Sequence, residues 1–194
     1  MTNKTFKLAA AIALAMASAS AQADATFDSS GPWAAAVSQD FRIDIPGFIY
    51  FRVGTDISGH INQIIFTATT ANVGNSVPIA GTGGDATASG VNVVLRANLG
   101  QVTITETNTS AGNGLGTGVA ADGFIPFTQI TTSSSDSALP PPSLSNAGGN
   151  TSTPLLNSAK TTNRAAVWTY GYANTTVPSA GTYTGRVMYT ATAP

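Results

Sequence analysis

The chain has 194 residues, of which 42% are hydrophobic and only 9% charged; its formal net charge is −1 and it has no cysteine. Ordinary soluble proteins are about 25% charged, so a neutral, polar surface is expected. These figures exclude a basic face able to follow phosphates, and with it nucleic-acid binding. They also exclude disulfides, thiolate metal sites and thiol nucleophiles.

Lys4 and Lys7 precede the apolar run Leu8 to Ala17, and the small-residue stretch Ser18 to Ala23 ends in Ala21-Gln22-Ala23. This is the pattern of a cleavable signal peptide over residues 1–23. Cleavage after Ala23 leaves 171 of the 194 residues, with 6 basic against 9 acidic side chains. That is one domain's worth of chain, long enough to bury a core without staples. No later stretch approaches the roughly 18 apolar residues of a spanning helix, so no membrane span is expected.

Residues 24–38 show no period and read as an N-terminal extension. Trp33 within it either packs an edge strand or enters a neighbouring subunit. Gln39 to Ile45 reads as a strand, with Phe41, Ile43 and Ile45 facing one way and Asp40, Arg42 and Asp44 the other. A one-residue slip would bury three charges, which fixes its register. Pro46-Gly47 ends it, Phe48 to Val53 resumes as a strand, and Gly54 to Gly59 is a turn. A third strand is expected from Ile61 to Thr69, with Ile64 and Phe66 as core side chains.

Gly74, Pro78, Gly81, Gly83, Gly84 and Gly90 make the next stretch a loop with at most a short strand near Val77 to Ala80. Val91 to Ala97 and Gln101 to Thr107 read as a hairpin, with Gly100 in its turn. Phe124 to Thr131 reads as a strand that Pro126 pushes toward an edge or a bulge. Ser133 to Thr162 lacks any period and carries Pro140-Pro141-Pro142, so it reads as a long loop of the functional or mobile kind. The expected domain is 39–194, with that loop at 133–162.

Two alternating runs close the chain. Trp168, Tyr170 and Tyr172 share one face of the first; Tyr183, Gly185, Val187, Tyr189 and Ala191 share one face of the second. Such a strand pair needs a second sheet to cover it, so the fold class is all-β, an antiparallel sandwich. The Trp168 row is core if buried and a sugar-stacking platform if exposed.

Little in the chain points to catalysis. His60 is the one histidine and Glu106 the one glutamate, so a metal site lacks its usual ligands, and no G-x-S-x-G elbow accompanies the serines. Asp40 and Asp44, with Arg42 between them, read as a solvated surface row rather than a glycosidase pair. The run Gly112 to Gly118 lacks the Lys-Ser/Thr that a phosphate loop needs. No enzyme and no cofactor are expected.

The segment Ala180 to Pro194, AGTYTGRVMYTATAP, resembles the last strand of bacterial pilin-like secreted subunits, the group similar to spore coat protein U and chaperone-usher fimbrial subunits. The resemblance rests on Gly181, Tyr183, Val187 and Tyr189, and on the Leu99-Gly100 turn with its VTIT return strand. It implies an incomplete immunoglobulin-like sandwich, exported, held by a periplasmic chaperone, and polymerised when a neighbour's extension supplies the missing strand. On this reading Trp33, Trp168, Tyr170, Tyr172, Tyr183 and Tyr189 belong to the assembly or binding surface. The expected function is a structural subunit of a surface fibre or layer, related to adhesion. The alternative is a self-contained secreted module that binds a glycan or protein through the long loop or an exposed Trp168 row.

Overall fold

The computed structural model describes residues 25–55, 59, 61–87 and 89–194. The expected signal peptide and His60 lie outside the described residues. The chain divides into two units, Met1–Ile45 and Pro46–Pro194.

Residues 25–45 form neither helix nor strand. The Asp28 carboxylate accepts hydrogen bonds from the backbone N–H of Ser30 (3.0 Å) and Ala34 (3.1 Å), closing a small loop around Trp33. The strand expected over Gln39 to Ile45 is not formed. Phe41, Ile43 and Ile45 are instead 89%, 83% and 76% exposed. Alternation prepares a segment for a sheet, but a strand forms only with a neighbour, and no sheet among the described residues includes this one.

The second unit is all-β, and every strand pairing is antiparallel. In chain order its strands are β1 (Ile49–Val53), β2 (Ile64–Ile65), β3 (Ile79–Ala80), β4 (Thr82–Gly83), β5 (Gly90–Ala97) and β6 (Thr103–Asn108). There follow β7 (Leu115–Gly116), β8 (Phe124–Ile125), β9 (Ile130–Ser134), β10 (Thr151–Ser152), β11 (Thr162–Tyr172) and β12 (Val187–Thr192). The main sheet runs β1-β5-β11, with β9 on the far side of β11 and β3 pairing its end. A second sheet runs β10-β6-β12.

One core joins the two sheets. Val91, Val93, Leu95 and Ala97 alternate along β5 and meet Ala166 and Trp168 of β11 on one side, and Val102 and Ile104 on the other. Period-two alternation puts these side chains on the inner faces, and Asn92, Val94 and Arg96 outside.

Two expectations are corrected by this arrangement. The β5 and β6 segments are not a hairpin, because they belong to opposite sheets and the chain crosses the core between them. Gly100, at φ 108°, still makes the turn, but its N–H donates to the Lys160 carbonyl rather than closing a two-strand ladder. β11 and β12 likewise lie in opposite sheets and do not pair. Both pairs carry one apolar face each, and facing two such faces across a core buries more surface than laying them side by side.

Residues 133–162 also contribute to the core. Ala138, Leu139 and Leu144 are buried, Pro142 and Pro154 are fully so, and Ser152 contributes to β10. This segment is irregular outside β9 and β10, and its buried residues close one side of the core. Smaller differences follow the same logic. The strand expected over Ile61 to Thr69 shrinks to β2, and Pro126 splits Phe124 to Thr131 into β8, a single 3-10 turn (Phe127–Gln129) and the start of β9.

Candidate functional site

β12 is an edge strand. Among the described residues it pairs with β6 alone, so the hydrogen-bonding groups along its outer side meet no strand. Its inner side chains, Val187, Tyr189 and Ala191, stand opposite Asn108, Glu106 and Ile104 of β6. β1 is the corresponding edge of the main sheet, with Ile49, Phe51 and Val53 facing inward opposite Ala97, Leu95 and Val93.

Burial separates these edges from the strands between them. Val93, Leu95, Ile104 and Trp168 are 0% exposed, whereas Phe51, Val53, Val187, Tyr189 and Ala191 are only half-buried and Ile49 is 39% exposed. The core is sealed at its centre and less deeply buried along its β1 and β12 edges. Such an edge is a template for another strand.

Trp168 lies in the core between the two edge strands. Its ring lies 6.3 Å from that of Phe51 on β1 and 5.2 Å, edge-on, from that of Tyr189 on β12. Its indole N–H donates to the Leu139 carbonyl at 2.9 Å, which satisfies the one polar group the ring carries. A sugar-stacking platform at Trp168 is thus ruled out by its burial. Tyr170 and Tyr189 share a hydroxyl–hydroxyl hydrogen bond of 3.1 Å beside it. Burial raises both phenols, Tyr170 to about 12 even though the bond to Tyr189 pulls it down. Tyr189 is raised further by burial, then by the charge of Tyr170, their hydrogen bond and the charge of Glu106.

The cluster between the two edges gathers Trp168, Tyr170 and Tyr189 of the sequence-derived surface, and not the other three. Tyr172 is buried elsewhere against Phe66, ring centroids 6.3 Å apart. The Tyr183 hydroxyl lies 3.1 Å from the Asp122 carbonyl and 3.0 Å from that of Ser179, outside both main sheets. Trp33 is 73% exposed in the first unit.

No protein-family model and no curated protein matches the chain.

Sequence reasoning missed two residues that shape these edges. Asn98 grips the chain where β1 begins: its Nδ2 donates to the Pro46 carbonyl and its Oδ1 accepts from the Phe48 N–H, both at 2.8 Å. Nothing in the local pattern announces this, because the partners lie about fifty positions away. Glu106 is the second, fully buried opposite Tyr189, its Oε1 accepting from the Ser145 N–H at 3.3 Å and its Oε2 without a partner. Here a signal existed, since Glu106 shares the parity of Val102 and Ile104.

A separate shallow hollow of about 400 Å³ lies on the outer face of the main sheet, lined by Phe48, Tyr50, Arg52, Val94 and Arg96. Among the described residues no three His, Cys, Asp or Glu side chains gather as a metal site requires. No described helix is long and apolar enough to cross a membrane.

Proposed function

We propose that the protein is a non-enzymatic, exported subunit of a surface fibre or layer that assembles by strand pairing. Residues 40–45 of one copy add as a strand along the free edge of β12 in the next. The observation that carries this is a match between two parts of the same chain. β12 is a six-residue edge strand whose inner side chains are only half-buried, and 40–45 is a six-residue alternating segment whose three apolar side chains stand in solvent.

Each of Phe41, Ile43 and Ile45 would contribute on the order of 1.5–3 kcal/mol on burial, set against about 1–2 kcal/mol per residue of backbone ordering. The ladder to β12 then decides the balance. Asp40, Arg42 and Asp44 would remain on the outer side, where the 3.1 Å Arg42–Asp44 pair already sits in solvent. Before assembly, a periplasmic chaperone would cover the same edge.

The test is size-exclusion chromatography with light scattering on the chain from Asp24, with and without residues 24–45. Polymers from the longer form alone are the expected result. Monomers from both would remove this reading in favour of a self-contained module for a glycan or protein. For that alternative the hollow of Phe48, Tyr50 and Arg96 is the feature to pursue.

A further inference from the structure

The outer face of the β10-β6-β12 sheet is a two-dimensional array of threonines. Thr151, Thr105 and Thr190 stand in one cross-strand row, Thr103 and Thr192 in the next, and Thr107 faces Met188 in a third. Thr107, Thr151, Thr190 and Thr192 are exposed, and Thr103 and Thr105 in the middle strand are half-exposed. The intervening Ile104 and Glu106 point into the core.

Thr is a good β-former, so a single exposed threonine requires no explanation. Six threonines in the seven outward strand positions, with no charge among them, exceed what propensity asks. Natural edge strands usually carry lysine or another charge at such places.

We propose that this face binds ice. Outward side chains repeat at roughly 6.7 Å along a strand and about 4.8 Å between strands. Both repeats approach those of the oxygen lattice on the prism faces of hexagonal ice. Threonine is stiff at χ1, so each residue holds a methyl and a hydroxyl in a restricted orientation. Rows of methyls cage water while the hydroxyls between them hydrogen-bond to it, and an ordered sheet of water on the protein can merge with a growing crystal. Charged side chains would impose their own hydration shells, and this face has none. A sugar polymer is the weaker fit, because the face offers no aromatic ring for stacking. The inference is independent of assembly, which uses the inner side and the edge of β12.

The test uses the purified chain, fluorescently labelled, on a growing ice hemisphere and in a recrystallisation assay. The unaltered chain is expected to be overgrown into the ice and to slow grain coarsening. Thr105→Lys and, separately, Thr190→Tyr are expected to abolish both effects while far-UV circular dichroism stays unchanged. Ser133→Lys, on the outer face of the other sheet, is expected to retain them. If Thr105→Lys disturbs folding, the edge substitution Thr190→Tyr decides. An inert unaltered chain, or Thr variants as active as the parent, would overturn the proposal.

Discussion

The hydroxyls of Tyr170 and Tyr189 meet at 3.1 Å, and the bond ties one sheet to the other beside the open edge. Both phenols are harder to ionise in the folded protein than in the unfolded chain, where tyrosine ionises near pH 10. The unfolded state therefore releases protons first. Their contribution to stability is complete below about pH 10 and falls away as the pH rises through 12, the folded value of Tyr170. The urea midpoint is expected to be flat up to about pH 10 and to drop above it, with a shallower drop in the Tyr170→Phe, Tyr189→Phe double variant. An equally steep drop in that variant would assign the alkaline loss to other groups.

Trp168 is the largest fully buried side chain and touches both edge strands. Trp168→Ala is expected to cost about 3–5 kcal/mol, as large aromatic truncations do. Trp168→Phe keeps most of the packing and removes one donor from the Leu139 carbonyl, which still accepts from Ser134 Oγ at 2.9 Å, so a smaller loss of about 0.5–1.5 kcal/mol is expected. Urea titrations followed by circular dichroism would separate the two. Equal losses would mean that the indole N–H bond, not the ring volume, carries the effect.

Asn174 is fully buried at φ 55°, and its side chain ties the 72–77 loop to the end of β11. It accepts from the Gly74 N–H at 2.8 Å and donates to the Asn72 carbonyl at 2.7 Å. Asn174→Ala removes both and places an alanine in the left-handed region. A loss of about 2–4 kcal/mol is expected, together with faster hydrogen exchange at Gly74 and Ser76. Slow exchange preserved at those two amides would show that the loop is held by other contacts.

Ile43 tests the assembly reading without touching the core, because it is 83% exposed. Ile43→Asp is expected to leave the unfolding midpoint unchanged and to abolish polymers, since strand addition would bury an unpaired carboxylate. A free peptide spanning 39–45 should compete with polymer growth of the parent chain. Polymers from Ile43→Asp at the parental rate would exclude this segment as the added strand.

Alternation made the strand-forming runs legible. Phe41 to Ile45, Val91 to Ala97, Trp168 to Tyr172 and Val187 to Ala191 were all visible as period-two patterns, and the last three do form strands. The Trp168 row could be read as core or platform, and nothing local to it could choose. The cluster at the edges is half legible in the sequence. Tyr189 and Trp168 stand out as aromatics on one face of an alternating run, but Asn98 and Glu106 do not, because their roles depend on partners brought near by the fold.

The sequence by itself determined that this is a charge-poor, cysteine-free, all-β chain, because composition and a period of two are properties of the residues in order. The tertiary structure alone decided which strands pair. Parity says that a side chain faces inward but not which sheet it belongs to, so β5 and β6, or β11 and β12, could equally have been hairpins. It also decided that Phe41 to Ile45 stays unpaired while the edge of β12 stays open, since a strand is completed by hydrogen-bonding partners that no local pattern encodes.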